Sequence, residues 1–268
     1  RLKIDSSGRV LIGTETEGEA SADDLTIANS GDCGLTIRSG TSSKGKIFFS
    51  DGTSGLNESR GYVQYEHTDN VLRFGTDAVE AARFDSSQRL LVGTTSSRST
   101  AGTGADLQVE TTDAGGRISV VQNRNDATAC PFVVIGKSRG TSIGSNTVLQ
   151  DDDRIGAIVF AGADGTDMGA DAARIIAEVD GTPGSNDMPG RLIFSTTADG
   201  SDSATERLRI DKDGRILIGS GAISSPKANT GGLDIATHNV AIVFGGSSLS
   251  GTTPLRANNA TKDGRIAA

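Results

Sequence analysis

The sequence predicts an all-β protein made of short strands that are joined by β-hairpins. Three observations support this class. Short apolar runs with period-two alternation recur along the chain. Glycine is abundant, at 36 of 268 residues, and suits the many turns that short strands need. A string of residues with the pattern of a β-hairpin also occurs more than once along the chain.

The predicted strands share an alternation of apolar and polar residues and end at Gly, Ser, Asp or Thr. They are 35–38, 46–49, 62–65, 71–74, 107–109, 118–121, 132–135, 155–160, 191–194, 233–235 and 240–244. The alanine-rich stretch 167–179 is predicted as a strand after a turn. A short helix is the alternative there, because alanine favours helix but Gly169 interrupts it.

The repeated string, which we call the cassette, reads R-L-R-I-D-K-D-G-R-I-L-I-G at Arg207–Gly219. It opens the chain at Arg1–Gly13 and recurs loosely at Ala82–Gly93. A fragment returns at Lys262–Ile266. The gaps between copies are unequal, whereas solenoids keep a near-constant period. The copies are therefore interpreted as junctions between β modules at 1–81, 82–206 and 207–268, the last of them truncated.

Each cassette is predicted to form a hairpin with a type I turn followed by a glycine at positive φ. In the first copy this geometry pairs Ile4 with Val10, Leu2 with Ile12 and the charges of Asp5 and Arg9. The apolar face of the hairpin is not covered locally. Gln88 replaces the glycine in the second copy, which leaves a different turn open there. The predicted structural turn residues are Asp5, Gly8, Arg9, Asp85, Arg89, Asp211, Gly214 and Arg215.

Composition excludes several classes of protein. With 26 basic and 34 acidic residues the net charge is −8, which disfavours nucleic-acid binding. No apolar run approaches the roughly 20 residues that span a bilayer, so no membrane insertion is expected. Cys33 and Cys130 share no motif and are expected to be buried free thiols. Aromatic residues are only 4% of the chain, which favours cores completed by neighbouring copies.

The segment 153–219 carries a family resemblance. Its pieces G-A-I-V-F, A-E-V-D-G-T-P-G, D-M-P-G-R-L-I-F and T-E-R-L-R-I-D resemble the receptor-binding tail fibres of tailed bacteriophages, particularly marine ones. The cassette is also widespread in those fibres. The chain lacks an initiating Met and stops within a cassette, which predicts a segment of a longer polypeptide.

The resemblance implies an elongated homotrimeric fibre of intertwined β-prism or β-sandwich-like segments. Its expected partners are two further copies of itself, other phage tail proteins and a bacterial surface receptor, either a glycan or an outer-membrane protein. It is expected in the virion after synthesis in the host cytoplasm. Many family members end in a self-cleaving chaperone, of which no sign is seen. The family shares no catalytic motif in its shaft, so neither an enzyme nor a cofactor is expected.

Other candidate sites favour structural interpretations. Asp151–Asp153 is interpreted as a solvated loop rather than as a metal site or a pair of catalytic carboxylates. Asp211–Gly214 resembles the start of a calcium loop, but Ala222 stands where the glutamate ligand belongs. Asp164–Asp167 and Asp199–Asp202 are interpreted as turns. The isolated His67 and His238 give no metal motif, so none is predicted.

Phe48, Phe49, Tyr62, Tyr65 and Phe74 are the candidates for a sugar-stacking patch, but core packing is preferred for the three phenylalanines. Tyr62 and Tyr65 are predicted to lie on opposite faces of one strand. Two alternative functions stay open at this point. One is a tailspike with polysaccharide depolymerase activity, and the other is a purely structural connector of the virion.

Overall fold

The computed structural model describes residues 2–112 and 115–219 and the backbone of the strand Leu233–Ile235. Residues 240–244, His238 and the cassette fragment 262–266 lie outside the described residues. The described parts contain fifteen strands and one short 3₁₀ helix, Gly55–Ser59. The all-β prediction is confirmed. No helix in these parts is long and apolar enough to cross a membrane.

The strands form three sheets, whose order follows the chain. The first sheet contains β1 (Leu2–Ile4), β2 (Val10–Ile12) and β3 (Leu25–Ile27). The second contains β4 (Lys44–Phe49), β5 (Gly61–Glu66), β6 (Val71–Thr76), β7 (Val79–Phe84), β8 (Leu90–Val92) and β9 (Leu107–Val109). The third contains β10 (Arg154–Gly162), β11 (Ala170–Val179), β12 (Gly190–Thr197), β13 (Ala204–Ile210), β14 (Ile216–Ile218) and β15 (Leu233–Ile235).

The two six-stranded sheets repeat one design. In the second sheet the pairs from β4 to β8 are antiparallel and the last pair, β8 with β9, is parallel. The third sheet follows the same pattern from β11 to β15. A register shift interrupts the same strand pair in both, after Phe74 and after Phe194. In both sheets the strand after that shift carries an ion pair between a glutamate and the arginine three residues later. These pairs are Glu80–Arg83 and Glu206–Arg209.

Each cassette supplies a hairpin and is followed by a third, parallel strand. Parallel neighbours need a crossover connection, here residues 13–24 and 93–106. Both crossovers start at a glycine with positive φ, Gly13 at 78° and Gly93 at 74°. A Cβ at these positions would overlap the carbonyl oxygens of Ala28 and Glu110, so glycine lets the crossover pass close to the new strand.

Three sequence predictions of strands are wrong. Residues 35–38, 118–121 and 132–135 form no strand, although each has the apolar residues typical of one. The reason is that a strand exists only where a neighbour accepts its hydrogen bonds, and no described residue does so here. By contrast, the stretch 167–179 forms β11 as predicted, and the helical alternative is excluded.

The chain divides into two compact units, Arg1–Val134 with Phe160–Ala172, and Ile135–Val159 with Ala173–Ala268. The first unit holds the first two sheets, and the second unit holds most of the third. The three-module division at 81/82 and 206/207 stays a prediction.

Candidate functional site

The turn of the first cassette is held by one carboxylate. Oδ1 of Asp5 accepts hydrogen bonds from the backbone N–H groups of Ser7 (2.9 Å) and Arg9 (3.1 Å). Oδ2 accepts one from Nε of Arg9 at 2.7 Å. Gly8 has φ 84° and donates its N–H to the carbonyl of Asp5 at 3.1 Å. The strands pair Ile4 with Val10 and Leu2 with Ile12, the register predicted from sequence.

The other two cassettes place the predicted turn residues in the same way. Asp85 accepts from Nε of Arg89 at 2.8 Å, and Asp211 accepts from Nε of Arg215 at 2.7 Å. Gln88 adopts the turn of the glycine copies, with φ 65° and its N–H bonded to the carbonyl of Asp85. The side chain at this position therefore does not change the turn, although its backbone is strained.

Electrostatics stabilises the charged form of the turn carboxylates. The hydrogen bond from the Arg9 side chain lowers the pKa of Asp5 below its ordinary value. Burial acts to raise the pKa of Asp85 and of Asp211. Hydrogen bonds from the side chain and backbone of Arg89 and Arg215 outweigh it, so both pKa values are lowered.

One face of each cassette is covered by the chain itself. The central leucines of the second strands, Leu11, Leu91 and Leu217, are buried. In the second sheet the crossover lies over this face, since the side-chain amide of Gln108 bonds both the backbone N–H and the carbonyl of Arg98. We call this the covered face. Sequence reasoning missed these leucines, because they stand at positions that alternate with the apolar face.

Charged side chains share the covered face of the second sheet. Arg73 lies beside Arg83 across the strand pair, and Glu66 and Glu80 form ion pairs with them. NH1 of Arg83 also donates to the carbonyl of Thr95 in the crossover, at 2.9 Å. The charges on this face are therefore paired within its own sheet, and Arg83 also bonds the crossover.

The third sheet carries a related cluster around Arg191. Its guanidinium contacts Glu178 at 2.8 Å, Asp180 at 3.2 Å and Asp152 at 2.6 Å. Burial acts to lower the pKa of Arg191, but these carboxylates outweigh it and the pKa is raised. The cluster ties the loop before β10 to the end of β11.

The opposite face of each sheet is apolar and open, and we call it the open face. Cross-strand rows of large apolar side chains run over it. The rows are Leu2–Ile12–Ile27 and Ile4–Val10–Leu25 in the first sheet, Ile47–Val63–Phe74–Ala82–Val92–Val109 and Tyr65–Leu72–Phe84–Leu90–Leu107 in the second, and Ile175–Phe194–Leu208–Ile218 and Ala177–Leu192–Ile210–Ile216 in the third. Many of these side chains are exposed, which agrees with the prediction that the hairpins do not cover their own apolar face.

Two burial predictions are wrong. Phe48, Phe49 and Phe74 are predicted to pack in the core, but all three are exposed. Phe49 and Phe74 stand on the open face, whereas Phe48 stands on the covered face of the edge strand β4, where the described chain does not reach it. Cys33 and Cys130 are exposed free thiols rather than buried ones.

The aspartate triplet Asp151–Asp153 forms a loop whose carboxylates accept hydrogen bonds. Asp153, for example, forms ion pairs with Arg139 and Lys137.

Tyr62 and Tyr65 lie on opposite faces of β5, as predicted. Tyr65 stands on the open face, and Tyr62 lies over Gly75 on the covered face. The Tyr65 ring also meets His67 edge-on, with centroids 4.9 Å apart.

The turn at Asp164 has the expected form. Oδ1 of Asp164 accepts the N–H groups of Thr166 at 2.7 Å and Asp167 at 3.0 Å. This is the Asx-type turn that the sequence predicts.

Comparison with known structures gives the class of this fold, which is that of phage tail-fibre domains. The carboxy-terminal domain of the bacteriophage T5 L-shaped tail fibre is similar, with TM-score 0.59 and 13% identity over 92% of this chain and 100% of that chain. The same T5 domain with its intramolecular chaperone gives TM-score 0.54 and 14% identity, covering 99% of this chain and 72% of that one.

The similarity lies in the fold and not in the sequence. No protein-family model matches the chain, and a search of curated proteins found no match.

Proposed function

We propose that this chain is a structural and host-attachment component of a bacteriophage tail fibre and works as a homotrimer in the virion. Its partners are then two further copies, other tail proteins and a bacterial surface receptor. One observation carries the proposal: every sheet has one face with side chains that its own chain buries and an opposite, apolar face with large side chains that are exposed. The likeness of the fold to T5 tail-fibre domains supports the same role.

The physical argument concerns what can cover the open faces. Soluble monomers rarely expose continuous apolar patches of several hundred Å². Two six-stranded sheets and a three-stranded one each present such rows in a chain with net charge −8. Copies of the same chain around a symmetry axis can cover one another's apolar faces. The opposite faces, with the chain segments that cover them, then point to water, which suits a fibre shaft.

Adsorption competition tests the attachment role. Bacteria that the parent phage infects are incubated with the purified protein before phage is added, and free phage is counted. The proposal expects a dose-dependent fall in adsorption. Unchanged adsorption at saturating trimer would contradict receptor binding and leave a connector role. A Phe74→Ser variant, which is expected to lose the trimer, is the control.

The proposed role is not enzymatic, and incubation with host polysaccharide tests this. The trimer is mixed with capsule or lipopolysaccharide, and the glycan length is followed by gel electrophoresis or mass spectrometry. Unchanged glycan agrees with the proposal. Released oligosaccharide would instead identify a depolymerase tailspike.

A further inference from the structure

Two apolar segments leave their backbone without protein partners. We call residues 34–37 and 131–135 the latched segments. Each precedes one six-stranded sheet, and both have the alternation or the aliphatic content of a strand. Among the described residues no backbone group of either segment makes a hydrogen bond. Phe132 and Val134 are 74% and 76% exposed.

Each latched segment is anchored to its own sheet by its last isoleucine. Ile37 lies over Gly45 of β4, with its Cγ2 3.5 Å from where a Cβ would stand. Ile135 lies over Gly156 of β10 so closely that a Cβ there would overlap it. Gly45 pairs with Tyr65, and Ile135 lines a small apolar cavity with Ile175, Ala177 and Leu192, so both isoleucines sit on open faces.

The apolar side chains upstream of each anchor are uncovered. The anchors lie against β4 and β10, which are the edge strands of their sheets. Leu35 is 66% exposed, and Phe132, Val133 and Val134 are 74%, 75% and 76% exposed. The described chain therefore leaves these side chains without a covering surface.

We propose that the latched segments are exchanged between copies, each one covering the open face of the equivalent sheet in a second copy and pairing with its backbone. This deepens the proposed self-association and rests on it. The segment and the sheet that needs covering occur once each per repeated unit, so the stoichiometry matches. The sequences G-L-T-I and P-F-V-V-I carry no charge, which suits an apolar face rather than a charged partner. An exchanged strand also satisfies backbone groups at an edge.

Hydrogen–deuterium exchange and thiol labelling test the exchange in the intact protein. Amide exchange of 132–135 is compared between the oligomer and the monomer obtained by dilution or by Phe74→Ser. Cys130 lies two residues before Phe132 and is exposed, so its alkylation rate is a second probe. Both rates are expected to fall at least tenfold on association.

A matched pair of variants distinguishes a specific role of the latched segment from the general effect of placing a charge on an exposed apolar residue. Val134→Asp is expected to weaken association at least tenfold and to restore fast alkylation of Cys130. Ile143→Asp changes an aliphatic residue that is fully exposed outside the segment and is expected to do neither. Gly156→Ala, which removes the seat of Ile135, should act like Val134→Asp.

The outcomes are distinct. Protection of 132–135 in the monomer would overturn the proposal, because the segment's own chain would then cover it. An intact oligomer with freely exchanging 132–135 would overturn the exchange and leave self-association standing. A monomer at every concentration would overturn both.

Discussion

The guanidinium of Arg9 forms an ion pair with the carboxylate of Asp5 across the first cassette turn, with Nε and NH2 each 2.7 Å from Oδ2. The same ion pair recurs at Arg89–Asp85 and Arg215–Asp211. Because each carboxylate also accepts two backbone N–H groups, one aspartate side chain fixes the turn and, through it, the register of the hairpin. The register in turn determines which side chains share a face of the sheet.

The second cassette is strained at one residue, and relieving the strain should stabilise the protein. Gln88 has φ 65°, whereas the equivalent positions hold Gly8 and Gly214. Gln88→Gly removes left-handed strain but adds unfolded-state entropy, for a net gain of about 0.5–1 kcal/mol. Thermal unfolding measures it. Gly214→Gln is the reciprocal control and should lose a similar amount; a loss of stability in Gln88→Gly would contradict the account.

The turn carboxylates predict acid sensitivity. The pKa values of Asp5, Asp85 and Asp211 are all lowered from 3.8 in the folded protein. Their contribution to stability is therefore complete above pH 3.8 and is lost as the pH falls through the lowered values. Melting temperatures recorded from pH 7 to pH 2 should fall in that range. Asp211→Asn, which keeps an oxygen acceptor but no charge, should reduce the fall. An equal fall in both proteins would sink the assignment.

The glycine that opens a crossover should tolerate no side chain. Gly93→Ala combines positive φ with overlap of the Glu110 carbonyl, at a cost of more than about 2 kcal/mol. Gly102 has φ 78° but no atom within 4 Å of a Cβ, so Gly102→Ala should cost only about 1 kcal/mol. Chemical denaturation of both variants gives the comparison, and equal costs would show that the close approach is unimportant.

The two faces of the second sheet should respond differently to the same substitution. Phe74 stands on the open face and Phe48 on the covered one, and both are exposed, at 37% and 46%. Phe74→Ser should weaken association by at least tenfold, since burial of an aromatic ring contributes about 2 kcal/mol or more. Phe48→Ser should leave the oligomer intact. Sedimentation at several concentrations measures the association of both variants. A larger loss of association in Phe48→Ser than in Phe74→Ser would contradict the assignment of faces.

Sequence reasoning succeeded where the determinants were local and failed where they were not. The pairing around Asp5 and Gly8 follows from four turn residues, and the structure has that register. β3 was missed because a parallel partner comes after a crossover with no turn signal of its own. The L-x-[IV] pattern at Leu25, Leu107 and Leu233, which lies 12 to 14 positions after each cassette's last glycine, could have indicated it.

The other failures concern what covers a surface. Alternation predicted strands at 35–38, 118–121 and 132–135, but alternation cannot supply a neighbour. Leu91 is completely buried on the face that alternation calls polar, because a crossover covers it. Sequence pattern thus finds a strand's two faces but not which of them the chain itself will cover.

The mass of the purified protein in solution tests the central claim most directly, namely that copies of the chain cover one another's open faces. Sedimentation equilibrium or light scattering at micromolar concentration should give three times the chain mass of 27.4 kDa. A single species of 27.4 kDa at every concentration would contradict it.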